Sequence, residues 1–423
     1  MSTQQNTAPD SEKEQDMRDS IPLWRNLDYV LLLSGQAVSS VGSQVSLVAF
    51  PLLILALTHS PAEAGLMTAL RAVPFALLCL PAGALVDRWN RKRVMLLADS
   101  GRAIALGSIP VALVFGQLTF LQLSLVSLVE GTLFVFFSLA ENAAIPHVVT
   151  KKQLSDAMSQ DRVAYSLSSV IGPALGPILY SISSMLPFIA DAVSYAASVI
   201  SLCFIRTQFQ EERMTDARVK QNMWKEIGEG VVWLWQHPLI RFIAILTFGI
   251  NTPCTGYVLV LLVLAGHMHA SNTITGLIFA SGGIGSVLGA LLVGPLQKRF
   301  SFGQVIITST WVWVLTWLFY AIAPNPLLPG IANTISFIVV PIYSVTQYTY
   351  RIAVIPDRLQ GRVNSVFRLI AFGGQPLGIA ITGLLIQGIG PNYAVIVLFI
   401  PQGILAIAVT LNRYVREAPR VHG

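Results

Sequence analysis

Charge is the first thing this sequence lacks. Asp, Glu, Lys and Arg make up 11% of its 423 residues, against ~25% in a soluble globular chain. Hydrophobic residues make up 54%, and the mean hydropathy is +0.65. One soluble core cannot bury so much apolar surface, so a bilayer must act as solvent. Cysteine is scarce as well. Cys79, Cys203 and Cys254 all fall inside apolar runs, which argues against a disulfide framework and a zinc site, since both need clustered partners. There is no Gly-Lys pair, hence no P-loop for ATP, and no His-Glu-x-x-His or Gly-x-Ser-x-Gly. The histidines are scattered. His267 and His269 share a loop but have no third ligand nearby, so neither a metal nor a cofactor is expected. The first 23 residues are polar and lack the apolar core of a signal peptide. They read as a disordered cytoplasmic tail.

Apolar stretches long enough to cross a bilayer, about 20 residues each, recur along the rest of the chain. They fall near 28–57, 62–86, 94–116, 120–145, 160–182, 185–206, 240–266, 273–296, 303–323, 327–355, 363–388 and 392–413. Of the 27 Lys and Arg residues, all but Arg71 and Arg102 fall in the terminal segments, in every second loop or at the adjoining span ends. That asymmetry places both termini in the cytoplasm. The formal charge of +6 is thus a topology signal, and no nucleic-acid partner is expected. The hydrophilic stretch 207–239 divides the chain, and its segment Trp224 to Trp235 suits an amphipathic helix on the membrane surface.

The halves echo each other. Ile145-Pro146-His147 follows the fourth apolar run and Ile355-Pro356-Asp357 the tenth, and a Gly/Pro-bearing run comes next in both cases. The expected fold is an all-α membrane protein of twelve transmembrane helices in two pseudo-symmetric six-helix bundles. Its parts are a tail (1–23), a first bundle (24–206), a linker (207–239), a second bundle (240–413) and a tail (414–423).

The loop after the second run reads Gly83-Ala-Leu-Val-Asp87-Arg88-Trp-Asn-Arg91-Lys92-Arg93. This resembles the signature of the major facilitator superfamily. Gly83 would let two helices approach, and Asp87 would meet a helix N-terminus or an arginine. Gly172-Pro173-Ala-Leu-Gly176-Pro177 resembles the antiporter motif of superfamily exporters, with Pro177 where a second glycine is usual. Arg71-Ala-Val-Pro74, Ala98-Asp99-Ser-Gly-Arg102-Ala103, Asp191-Ala-Val-Ser194-Tyr195 and Gly361-Arg362-Val363 are similar to the subfamily that holds macrolide efflux proteins and the enterobactin exporter. The resemblance covers nearly the whole chain. It implies alternating access and proton-coupled efflux of a drug-like, siderophore-like or other amphiphilic small molecule, in a bacterial plasma membrane and without enzymatic activity. One departure matters. Better-known drug exporters carry an arginine in the fourth span, in an Arg-x-x-Gln-Gly setting, whereas this chain has Glu130-Gly131 there. Uptake or flipping of a lipid-like substrate is the rival within transport. A non-transporting receptor or scaffold is the rival outside it. The expected partners are a small-molecule substrate, a coupling proton and the lipid bilayer, with a monomer favoured.

Charges within hydrocarbon mark function, because each costs several kcal/mol. Glu130 has no cation within a turn of its own run, and a desolvated carboxyl favours its neutral form. It is the leading candidate for proton carrier or for counter-charge to a cationic substrate. Asp191 and Arg71 are the next coupling candidates, Arg71 pairing with Glu130 or Asp191. Glu141 is expected to be solvated or paired at the cytoplasmic gate. Asp99 and Arg102, three apart on one helical face, are expected to act in that gate with Gly83, Asp87, Arg88, Arg91 and Lys92. Gln36, Ser40, Gln44, Asn251, Tyr257, Asn333 and Gln347 are candidates to line a cavity for an amphiphilic ligand.

Overall fold

The computed structural model describes residues 22–86, 88–150, 152–209 and 223–418. Asp87, most of the N-terminal tail, part of the linker and the last five residues lie outside the described residues. Twelve helices are long and apolar enough to cross a membrane. In the first half they are Leu27–Thr58, Pro61–Val86, Arg91–Val114, Phe120–Val148, Leu154–Ile182 and Leu186–Phe204. In the second they are Pro238–His267, Asn272–Arg299, Phe302–Ala321, Leu327–Val354, Gln360–Ile389 and Pro391–Leu411. They are called spans one to twelve below. Lipid offers no hydrogen bonds, so the helix is the local answer for an isolated apolar segment. Starts are set by short polar side chains that accept from the first turn. Asn26 accepts from Tyr29 N, Asn90 from Arg93 N, Thr119 from Gln122 N and Ser271 from Ile274 N. Ser301 and Gln304 form a capping box.

Two spans are interrupted. Span seven breaks between Cys254 and Tyr257, and span eleven at Gly374. The breaks lie against each other. Asn251 Nδ2 donates to the Ala371 carbonyl at 2.9 Å, and Thr255 Oγ1 to that of Gln375 at 3.4 Å. A neighbouring helix thus occupies carbonyls at the irregular stretch. Between the halves, the helix Met223–Gln236 docks on the inner end of span eleven through the Glu229–Arg362 ion pair.

With an even number of spans, both chain ends share one end of the bundle, here called the inner end. The hydrophobic core divides unevenly between the ends. At the outer end one cluster joins both halves, with Phe50, Leu53 and Met67 packed together with Leu261, Phe279 and Ile386. At the inner end each half keeps its own cluster, one around Met95, Phe137 and Ile205 and the other around Phe302, Val363 and Phe367. Close helix crossings between halves follow the same pattern. Span two meets span eleven at Gly65 and Gly383, and span five meets span eight where Ala174 O and Val170 face Gly276 and Gly283. The halves are packed together outside and share no core cluster inside.

Candidate functional site

Most of the buried charge gathers inside the first half. Glu130 on span four is 2% exposed. Arg71, from span two, forms a two-bond ion pair with it; Nη2 donates to Oε1 at 2.9 Å and Nε donates to Oε2. Gly131 makes this possible. A Cβ there would lie 2.1 Å from the Arg71 carbonyl, so only glycine lets the two backbones come so close. Arg102, on span three, donates to the same Oε1 at 3.0 Å and to Asp99 Oδ1 at 3.3 Å. Its guanidinium also donates to Tyr195 Oη and Ser43 Oγ, and stacks 4.0 Å from the Tyr195 ring centre. Five spans therefore converge on one cluster, and spans two, three and six donate to Glu130 itself through Arg71, Arg102 and Tyr195.

Asp191 sits beside this cluster on span six and is fully buried. It has no ion pair among the described residues. Ser194 Oγ donates to its Oδ1 at 3.3 Å, and its Oδ2 has no hydrogen-bond partner. Gly42 of span one presses on this pair, since a Cβ at Gly42 would fall 2.6 Å from Asp191 Oδ1. Three buried carboxyls, on Glu130, Asp99 and Asp191, thus face two guanidiniums. Both guanidiniums bind Glu130, and Asp191 is left without one.

The expected lack of a cation near Glu130 holds along its own helix, but two arginines reach it from other helices. Arg102 and Asp99 do pair as their spacing suggests, and the structure puts that pair in the Glu130 cluster instead of at the loop. Glu141 is 7% exposed, hence not solvated. The basic residues of the signature loop bind helix ends. Arg91 Nη1 donates to the Ala143 and Phe209 carbonyls, and Lys92 Nζ to Ile205 O at 2.6 Å, where cations suit the C-terminal ends of spans four and six. Arg88 lies exposed on the turn. A Cβ at Gly83 would meet nothing within 4 Å, so the expected close approach is not made in this state, in which the inner ends share no core. Gly172 and Gly176 do serve close approach. A Cβ at Gly172 would lie 2.3 Å from Gln44 Cβ, and one at Gly176 2.9 Å from Val45 O. Pro173 and Pro177 each follow one of these glycines, inside the helix.

A narrow cleft lies where spans five, seven, eight and ten meet. Tyr257, Phe279 and Phe337 supply its aromatic wall, and Ser169, Ser286 and Asn333 its polar groups. Asn333 Nδ2 donates to Ile278 O, and its Oδ1 is unpaired. Tyr257 and Asn333 are thus brought together. The other cavity candidates are placed elsewhere. Asn251 holds span eleven, Gln347 donates to Thr247 Oγ1, and Gln44 packs on Gly172. Gln36 keeps a buried, unpaired Oε1, and Ser40 is half-buried. Sequence reasoning missed Phe279 and Phe337 of the cleft and the role of Tyr195. It also missed Arg351, which lies in span ten at 6% exposure and not at a solvated helix end.

The family model described as "Transmembrane secretion effector" matches residues 22–419. The multidrug efflux pump Tap of Mycolicibacterium fortuitum is 24% identical, over 92% of this chain and 96% of its own length. The enterobactin exporter EntS of Citrobacter koseri is 26% identical, over 79% of this chain and 80% of its own. Among solved structures, a mutant of the nucleoside transporter NupG superposes with a TM-score of 0.76 at 12% identity, covering 90% of this chain and 99% of that one.

Proposed function

Since the chain belongs to the transmembrane secretion effector family of major facilitator transporters, we propose that it exports an amphiphilic small molecule by alternating access in exchange for protons. The chain is a transporter and not an enzyme. Relatives named as efflux pumps and exporters support outward transport. The cleft supports the substrate class, because three aromatic rings and a few neutral polar groups suit a ligand that is mostly apolar. We place it in a bacterial plasma membrane, with both termini cytoplasmic, a reading that the basic loops support.

The observation that carries proton coupling is the charge balance of the first half. Glu130 is held by two guanidiniums and acts as the fixed hub. Asp191 has none, so it is the site where one proton makes the cluster neutral. A protonated carboxyl donates a hydrogen bond, where the ionised form only accepts. Asp191 touches span one at Gly42, so the change acts on the contact between spans one and six. One proton moving down 100 mV supplies about 2.3 kcal/mol, enough for a gradient of about 50-fold in a neutral substrate exchanged one for one.

The test is efflux of amphiphilic fluorescent dyes in proteoliposomes under an imposed pH gradient, normalised to inserted protein. Asp191→Asn should lose uphill efflux and keep downhill exchange. Full pH-driven efflux by Asp191→Asn would remove Asp191 from coupling. Net accumulation toward the inner face would instead support uptake.

A further inference from the structure

The arginines inside the first half meet carboxylates, and Arg351, inside the second, does not. It lies in the last turn of span ten and is 6% exposed. Its guanidinium has no ion pair among the described residues, and Nε and Nη1 are sealed from solvent without a partner. The second half has almost nothing to offer it, since Asp357 is the only Asp or Glu between residues 240 and 413. What holds the guanidinium is the Phe367 ring, whose centre lies 3.7 Å from Cζ. A ring takes the face of a guanidinium. The N–H edge stays free, and that edge grips a carboxylate or phosphate through two parallel bonds. Arg71 shows the same edge in use on Glu130. A second cation adds to the first, because Arg368 of span eleven is exposed and within electrostatic reach of Arg351. A buried charge without a counter-charge is costly, and an anion would relieve this one.

The pair stands where the halves part. Span ten packs on spans eight and nine, and span eleven on spans two and seven. Arg351 therefore bridges a seam when it reaches Phe367. Asn333 of the cleft and Arg351 are 18 residues apart, about five full turns, so they share one face of span ten. Phe337, Ser344 and Tyr348 continue that face between them, and Ser344 and Tyr348 are exposed. Arg368 is within electrostatic reach of Cys79 on span two, at the end of the bundle where the halves share no core cluster. We infer that Arg351, supported by Arg368, is an anion site at the inner mouth. It takes the acidic group of an amphiphile, a carboxylate or a phosphate, whose apolar part lies along span ten toward the cleft. The inference rests on the export reading above and narrows it, since the exported ligand is then an anionic amphiphile. Phospholipids of the inner leaflet carry the same chemistry, so the test separates the two sources.

The test measures binding without transport. The full chain is placed in phosphatidylcholine nanodiscs, and energy transfer from its tryptophans to a dansyl group reports affinity. The probes are a dansyl-labelled undecanoic acid and its methyl ester, which differ in the charge of the head group. The acid should bind about tenfold more tightly than the ester, the size of one charge-assisted contact. Arg351→Gln should abolish that preference and leave the affinity for the ester as it was. It removes an unpaired charge, so its melting temperature should not fall. An arginine that only props Phe367 would do the reverse, with a lower melting temperature and the preference intact. Should Arg351→Gln be missing from the membrane, Arg351→Lys decides. It keeps the charge and loses the fork, so the preference should shrink. Arg368→Gln should weaken the acid less, and added salt should hide the difference, because Arg368 is exposed. Replacing part of the lipid by phosphatidylglycerol separates the sources. Unchanged binding of the acid assigns the site to a free amphiphile. A loss of acid binding in the wild type but not in Arg351→Gln assigns it to the lipid head group. Equal affinity for acid and ester, or a preference that survives in Arg351→Gln, would overturn the site. A chain that binds the acid through Arg351 yet does not export it under a pH gradient keeps the site and sinks the export reading instead.

Discussion

Glu130 is where a single side chain does most to hold the first half together. Glu130→Gln keeps the shape but removes the charge that both Arg71 and Arg102 bind. Among the described residues, the Arg102–Asp99 pair would then be the one ion pair left to the two buried guanidiniums. Breaking one partner out of a buried ion pair costs about 3–5 kcal/mol. The variant is therefore expected to lose thermal stability in detergent before any specific transport defect is resolved. Asp191→Asn, which removes no ion pair, should keep the melting temperature of the wild type. The pair of melting curves checks this, and equal destabilisation of both variants would contradict the division of roles. Part of the division was legible beforehand. The sequence singles out Glu130, Asp191 and Arg71 because charge is rare in apolar runs. It could not show which cation reaches which carboxyl, because partners 59 and 28 residues away in the chain meet only through helix packing. Arg351 was hidden for another reason. It lies near a helix end among other arginines.

At the level of elements, the spans were readable because each needs a long apolar run, and the structure places them within a few residues of where hydropathy does. Span five is the largest exception. It starts at Leu154, six residues before the apolar run, because the polar segment 154–159, with Asp156 in the first turn, continues the helix at its inner end. The interruptions of spans seven and eleven fall at Asn251-Thr252-Pro253-Cys254-Thr255-Gly256 and at Gly373-Gly374-Gln375-Pro376, but Gly and Pro also occur in unbroken transmembrane helices, so the breaks were not readable. They follow from how the two spans dock, with Gly378 so close to the Thr252 carbonyl that a Cβ would lie 1.6 Å away. The Gly-Pro motif of span five is a packing surface on one face. Gly172→Val should push span five off span one, because even a Cβ there overlaps Gln44. Overpacking of this kind costs about 1–3 kcal/mol. Span five also carries the contact with span eight, so dye efflux should fall further than abundance does. Immunoblots of membranes beside efflux rates give the two numbers. A fall in abundance with unchanged efflux per inserted molecule would confine the motif to folding.

For the whole molecule, orientation and conformation are separate questions. Reporter fusions at positions 59, 118, 269 and 390 should read outside, and fusions at 90, 220 and 420 inside, because the basic residues fall on one side of the twelve spans. One clear reversal would undo that topology. The conformation is set by which ends of the halves touch. Here the outer ends touch, and spans two and eleven cross at two glycines with no room for a side chain. A Cβ at Gly383 would lie 2.6 Å from the Pro61 carbonyl, and one at Gly65 2.8 Å from Gly383 Cα. The obstruction is backbone on both sides, so a rotamer change cannot relieve it. Gly383→Val should therefore wedge the outer ends apart and shift the population toward the outward-facing state, whose own outer contacts it does not disturb. Each 1.4 kcal/mol of strain shifts the ratio about tenfold, and overlap of this size is worth about 1–3 kcal/mol. Labelling of Met67→Cys, which is buried in the outer cluster that joins the halves, by an impermeant maleimide in right-side-out vesicles should rise by about tenfold or more. A wedge that leaves Met67→Cys as protected as before would mean that the outer cluster does not hold this state, and that the two halves are kept together elsewhere.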